Sequence, residues 1–162
     1  MILVVVGTQK FQFNRLLEKV DELIKDGTIK EKVVAQTGYS TYQPQRYSAF
    51  DFLDEKQFSK YVQECDILIT HGGLGSILNG IKAKKKVIVV SRLKKYDEHV
   101  DNHQCEIAGA FAELGYVCLC KELKYLGKYL KVIKKKSFRD FNMHYENTAD
   151  YISAYLENEL KL

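Results

Sequence analysis

Proline is almost missing from this chain: Pro44 stands alone among 162 residues. With an apolar share of 46%, that excludes a disordered or low-complexity polypeptide. The length suits one domain, residues 1–162, with a real core. No apolar run reaches the roughly 20 residues that a membrane-spanning helix needs. The N-terminal run Ile2 to Val6 follows Met1 without a basic n-region or a small-residue cleavage site. It therefore predicts a buried first strand and not a secretory signal. The cysteines Cys65, Cys105, Cys118 and Cys120 include no Cys-x-x-Cys pair. They read as a reduced, cytosolic set with packing roles, with Cys118 and Cys120 on one face of a strand.

Several ligand motifs are absent as well. The dinucleotide fingerprint G-x-G-x-x-G begins at Gly73 and Gly75, but Leu78 stands where the third glycine belongs. The P-loop spacing of Gly75 and Gly80 is followed by Ile81 and Lys82, so the lysine comes a position late and no Ser or Thr follows. There is no Asp-x-Asp pair for a divalent ion and no H-E-x-x-H, because Glu98 precedes His99. His99 and His103 are four apart without a third ligand at diagnostic spacing, so no metal is expected. A net charge of +4 is mild, and no aromatic-interleaved basic motif points to nucleic acid. The positive charge is nevertheless clustered, at Lys82 and Lys84–Lys86, at Lys94 and Lys95, and at Lys131 with Lys134–Lys136. Such clusters suit a solvated face, anionic lipid head groups or an acidic partner.

What is present reads as alternation. Strands are expected at Ile2–Val6, Lys32–Gln36, Ser48–Phe52, Asp66–Thr70, Val87–Val90 and Tyr116–Leu119. Between them, Leu16, Leu17, Val20, Leu23 and Ile24 mark a helix stopped by Gly27. Asp54 with Gln57 resembles a capping box. Ile77, Leu78 and Ile81 mark a third helix, and Ile107 to Leu114 a fourth, ended by Gly115. A last helix is expected from about Glu146 to Glu159. The fold class is α/β: a Rossmann-like, mainly parallel sheet with helices on both faces. Tyr39 to Tyr47 reads as a polar, tyrosine-rich loop, either an acceptor-side or partner-side contact or plain surface.

The most informative stretch is His71-Gly-Gly-Leu-Gly-Ser76, directly after the apolar run Ile67 to Thr70 and ahead of Ile77. A strand feeds a glycine-rich turn into a helix start. Glycines admit a close ligand, and the helix start offers unpaired N–H groups and a positive dipole end. Gly72, Gly73, Gly75 and Ser76 are thus expected to hold a diphosphate, with His71 anchoring the turn. After the next strand comes Ser91 to Gln104, dense in polar groups. Ligands of open α/β sheets sit beyond the carboxyl ends of the strands, so both clusters face one crevice, along with Gly7 and Thr8. Arg92 offers a fork for phosphate oxygens, or else an ion pair with Asp97 or Glu98.

Thr-His-Gly-Gly-x-Gly-Ser at 70–76 and Arg-Leu-Lys-Lys-Tyr-x-Glu-His-Val-Asp-x-His-Gln at 92–104, with Val6-Gly-Thr-Gln-Lys-Phe11 and Gln36-Thr-Gly38, resemble family 28 glycosyltransferases. The likeness is to their C-terminal, nucleotide-sugar-binding domain, and to short stand-alone versions that serve capsule and exopolysaccharide assembly. It covers nearly the whole chain. It implies the donor-binding half of a GT-B enzyme, with Asn79 on the ribose, the backbone around Leu53 beside the base, and His103 and Gln104 on the donor sugar. Larger members often carry Glu where Asn79 stands and Pro where Ser91 stands. The likeness further implies an inverting transfer from a UDP-sugar to an undecaprenyl-diphosphate-linked saccharide, with no cofactor and no metal. Galactose, N-acetylglucosamine, glucose and glucuronate all remain open as the sugar. Two-domain relatives take the catalytic base from the other half; here Glu98 and His99 are the candidates. A membrane-associated, acceptor-binding partner subunit is therefore expected, holding a cytoplasmic chain at the inner face of the plasma membrane. A different class also fits, a non-catalytic nucleotide-sugar-binding module that enhances a partner enzyme. An unrelated Rossmann-like nucleotide binder is disfavoured by the broken glycine fingerprint.

Overall fold

A computed structural model describes residues 1–100 and 103–141. The helix expected from about Glu146 to Glu159, as well as His144 and Asp101, lies outside the described residues. The elements in chain order are β1 (Ile2–Val5), α1 (Asn14–Lys25), β2 (Val33–Gln36), β3 (Ser48–Phe50), α2 (Glu55–Glu64), β4 (Ile67–Thr70), α3 (Leu74–Lys82), β5 (Lys86–Val89), α4 (His103–Glu113), β6 (Cys118–Leu119) and α5 (Leu126–Ile133). Short 3-10 turns occupy Lys94–Tyr96 and Leu123–Tyr125. All strand pairs are parallel, in the order β3-β2-β1-β4-β5-β6. This is the α/β, Rossmann-like sheet expected from the alternation of patterns. Connections to either side of β1 run in opposite directions, so β1 and β4 flank the switch point where such sheets open a crevice.

The period of two in β1 splits the core into two layers. Ile2, Val4 and Val6 pack with Leu16, Leu17 and Val20 of α1 and Leu126, Leu130 and Ile133 of α5. Leu3 and Val5 face the other way, onto Val62 of α2, Ile77 and Ile81 of α3, and Ala108 and Phe111 of α4. Strands buried on both faces must be apolar throughout, which is why β1 and β4 read as unbroken runs. The capping box of α2 forms as the sequence predicts. The Asp54 carboxylate accepts from the Gln57 N–H at 2.8 Å, and the Gln57 side chain accepts from the Asp54 N–H at 3.3 Å. Cys118 and Cys120 share one core layer. All four cysteines are free thiols, and burial pushes the Cys120 thiol up to about 12.

No helix joins β2 to β3. The tyrosine-rich loop there is pinned by Asp21 of α1, a carboxylate only 3% exposed. It accepts from the Tyr42 hydroxyl at 2.7 Å and from the Gln45 and Arg46 N–H groups at 2.7 and 2.9 Å.

Candidate functional site

A cleft of about 450 Å³ opens at the carboxyl ends of β1, β2 and β4. From β1 come Gly7, Thr8 and Gln9; from β2, Gln36; from the chain after β3, Leu53; from β4 and α3, His71, Gly73, Gly75, Ser76 and Asn79; from α4, Gln104. Its position is dictated by the topology, because parallel strands all deliver their next residues to the same edge of the sheet.

The floor is set by His71, which is 6% exposed. Its Nδ1 lies 3.2 Å from the Val5 carbonyl oxygen. A carbonyl only accepts, so the proton sits on Nδ1 and Nε2 presents a lone pair. Gly7 and Gly73 flank the ring. A Cβ on Gly7 would lie 2.6 Å from Nε2, and one on Gly73 would lie 2.7 Å from Cε1. Both positions therefore require glycine for the histidine to fit. Gly72, at φ +98, is buried beneath the turn against Val89 and Gln104 and does not line the cleft. Its role is to shape the turn.

Helix α3 starts at Leu74, with Gly73 as its N-cap and no side chain capping it. No acidic residue occupies its first turn. Its leading N–H groups and positive dipole end are thus left for a ligand, which is what a diphosphate requires. Gly75, Ser76 and Asn79 share the helix face turned to the cleft, as residues three and four apart do. At the far wall, Gln104 Oε1 is buried without a hydrogen-bond partner. A buried amide left unpaired is costly, and a sugar hydroxyl would satisfy it. His103 begins α4; its side chain lies outside the description. Leu53 gives its N–H to Gln36 Oε1 at 3.2 Å, so a glutamine at the end of β2 fixes the wall beside it.

The structure places Arg92 and Glu98 elsewhere than expected. Arg92 is 0% exposed and does not line the cleft. Nη2 donates to the Phe11 carbonyl at 2.9 Å, Nε and Nη1 have no partner among the described residues, and the guanidinium lies 5.8 Å from the Phe13 ring. Burial pulls its pKa down to about 10, opposed by the charge of Glu98. It packs against the β1–α1 loop, outside the cleft lining. Glu98, expected as a base, is 1% exposed and held by Arg15, with Nε to Oε1 at 2.5 Å and Nη2 to Oε2 at 2.8 Å. His99, the other candidate base, lies in the chain before α4. Its ring meets the cleft indirectly, with Nε2 3.0 Å from Gln9 Oε1.

Gln9, Gln36, Glu55 and Phe58 also line the cleft and were not singled out from sequence. The crevice rule applied to the residues after β1 and β2 points to Gln9 and Gln36. Nothing comparable marks Glu55 or Phe58.

Burial, reinforced by the charge of Arg92 and opposed by the Val5 hydrogen bond, lowers the His71 pKa to about 4. An unfolded histidine titrates near 6.5, so below that pH the unfolded chain binds a proton that the fold refuses. Stability is complete above 6.5 and is lost as pH falls toward 4, by about 2 kcal/mol between pH 7.5 and 5. Urea unfolding across that range should show this loss in the wild type and a smaller one in His71→Asn. Equal losses would mean that His71 is accessible to protons in the fold.

An open parallel sheet with an uncapped, glycine-fed helix at its switch point defines a Rossmann-like α/β fold. The chain belongs to the glycosyltransferase family 28 C-terminal domain family, whose profile matches residues 1–155. It is similar to the UDP-N-acetylglucosamine transferase subunit ALG13 of Saccharomyces cerevisiae, 42% identical over 71 residues, which is 44% of this chain and 33% of that protein. The Candida albicans protein of the same name is 35% identical over 79 residues, 49% of this chain and 25% of its own length. The chain thus spans a third or less of these relatives. Among solved structures, the NMR structure of ALG13 aligns at TM-score 0.59 and 23% identity, over 97% of this chain and 95% of that one. A UDP-GlcNAc 2-epimerase of Methanocaldococcus jannaschii, in complex with UDP-GlcNAc and UDP, aligns at TM-score 0.63 and 12% identity, over 95% of this chain and 45% of that one. At such identities the structural likeness speaks for the fold.

Proposed function

We propose that this chain is the donor-binding subunit of a two-component inverting glycosyltransferase, moving N-acetylglucosamine from UDP-GlcNAc to a lipid-linked saccharide. The observation that carries the reading is the pairing, in one cleft, of the bare N-terminus of α3 with Gln104 Oε1, which has no hydrogen-bond partner among the described residues. The diphosphate lies on Gly73, Gly75 and Ser76, the ribose by Asn79, the base by Leu53, and the sugar by His103 and Gln104. As the glycosidic bond to the diphosphate breaks, charge grows on the leaving oxygens, and the dipole end of α3 stabilises it without a metal.

The names of the relatives favour N-acetylglucosamine among the four donors considered. They are silent on capsule and exopolysaccharide, so the pathway proposed is the coarser one, extension of a lipid-linked saccharide. The relatives are called subunits, which supports a partner; in this proposal that partner brings the acceptor and holds the chain at the cytoplasmic membrane face. Glu98 is locked in its ion pair, which favours a catalytic base supplied by that partner.

The test is calorimetric titration in EDTA with UDP and with the UDP-linked forms of N-acetylglucosamine, galactose, glucose and glucuronate. UDP-GlcNAc should bind tightest. Gln104→Ala should weaken UDP-GlcNAc about tenfold, roughly one lost hydrogen bond to a sugar hydroxyl, and leave UDP unchanged. Equal losses for both ligands would place Gln104 off the sugar. No binding of any UDP species would end the donor-subunit reading.

A further inference from the structure

Two lysine-rich segments distant in sequence meet at the end of the sheet opposite the donor cleft. The turn from α3 to β5 brings Lys82, Lys84, Lys85 and Lys86, and the end of α5 with the chain beyond it brings Lys134, Lys135, Lys136 and Arg139. Together they surround one cavity of about 580 Å³. Among the described residues Asp140 is the only acid in its wall, and Tyr116, Phe138 and Phe141 supply aromatic surface. The sheet polarity fixes the separation. Lys86 is the first residue of β5, whereas the donor cleft lies beyond the last residues of β1, β2 and β4.

Part of this charge has a local explanation. Lys82 ends α3, where the helix dipole favours a cation. Lys85 Nζ donates to the Gln63 carbonyl at 2.6 Å, Lys86 Nζ donates to the Lys134 carbonyl, and Lys134 pairs with Glu31. The Lys136 ammonium lies 5.4 Å from the Phe138 ring. Lys84, Lys135 and Arg139 are exposed and, among the described residues, have no side-chain hydrogen bond or ion pair. Cations gathered around one concavity repel each other, and a concave low-dielectric wall focuses their field inward. A cavity of this volume matches a compact ligand and not a duplex or an extended chain.

We infer that this cavity binds a compact, phosphate-rich anion with several negative charges, either a free oligophosphate or the head group of an anionic lipid. The site is independent of the donor cleft, and both are occupied at once. Binding cancels the repulsion among the lysines and so stabilises the fold.

The experiment titrates the full ¹⁵N-labelled chain with tripolyphosphate while UDP is held in excess. Saturable amide shifts are expected at Lys84–Lys86 and Lys134–Arg139, with a rise in melting temperature. A failure of UDP to bind shows separately, as an unperturbed Gly75 and Ser76, and leaves the basic cavity readable. The charge-reversed triple variant K84E/K135E/R139E should bind tripolyphosphate at least tenfold more weakly and keep its melting temperature constant as ligand is added. Co-sedimentation with phosphatidylcholine vesicles that contain a phosphatidylinositol bisphosphate, against phosphatidylcholine alone, separates the sources. Sedimentation competed by tripolyphosphate identifies a lipid head group, and none identifies a free anion. Linear, unsaturable shifts, undiminished affinity in the triple variant, or equal binding of polyglutamate at matched charge would overturn the proposal.

Discussion

Gly75→Asp should abolish measurable UDP binding and leave the fold intact or firmer. Gly75 is the second residue of α3 and faces the cleft, and a Cβ placed there meets nothing within 4 Å. Aspartate has a higher helix propensity than glycine, by a few tenths of a kcal/mol, and a carboxylate in a first turn adds about 0.3–1 kcal/mol from the dipole. Those gains come from the same feature that a diphosphate would use. The new charge takes the ligand's place, and at an effective dielectric of about 20 two like charges 4 Å apart repel by about 4 kcal/mol. Solvent in the open cleft reduces this, so a loss of at least about 100-fold is expected. Gly75→Ala is the control, with stability raised by up to about 1 kcal/mol and a small loss of affinity. Gly73 is unsuitable for the same purpose, because any side chain there strikes His71. The assays are urea unfolding and UDP titration. A folded Gly75→Asp protein with UDP affinity within about threefold of wild type would move the diphosphate off this turn.

The same pair of glycines shows what a sequence discloses and what it hides. Gly73 and Gly75 both belong to the turn that marks the candidate site, yet one is required by His71 and the other faces open space. That distinction exists only in three dimensions. The central strands β1, β2 and β4 were legible because burial on both faces leaves no room for polar residues, whereas the order of strands in the sheet was not read. α5 was missed although Leu126, Leu130 and Ile133 have helical spacing, since Gly127 and a preceding 3-10 turn blur its start. Gly127 is there for packing, with Leu23 Cδ2 3.0 Å from where its Cβ would be. Arg92 and Glu98 were misplaced for a different reason. A charged residue in a polar segment suggests solvent and ligand, and only a partner 83 residues away, Arg15, turns Glu98 inward.

Arg15→Met should destabilise the chain by about 3 kcal/mol, and that loss decides what Glu98 is for. The Glu98 carboxylate accepts from Arg15 through both oxygens and from the Leu93 N–H at 2.9 Å. Arg15 also donates to the Ser91 carbonyl at 2.9 Å, and its guanidinium carbon lies 5.0 Å from the Phe13 and Tyr96 ring centres. The pair thus ties the segment after β5 to the start of α1, and that segment carries His99 to Gln9 at the cleft edge. Removing one member of a buried pair strands the other, at a cost of about 3–5 kcal/mol; the charge of Arg92 keeps the figure near the lower end. Arg15→Met combined with Glu98→Leu should recover part of the loss, but not all, because Arg92 then lacks its neighbouring counter-charge. Glu98→Gln separates structure from chemistry. If Glu98 positions the loop, the variant has a lower urea midpoint, and at low temperature, where it is folded, UDP affinity and transfer with the partner return close to wild type. If Glu98 were the base, transfer with the partner would fall at least about 100-fold even at low temperature, where the variant is folded and still binds UDP, the usual scale for a lost general base. That second pattern would return Glu98 to the chemistry and require the Arg15 pair to open when the acceptor arrives.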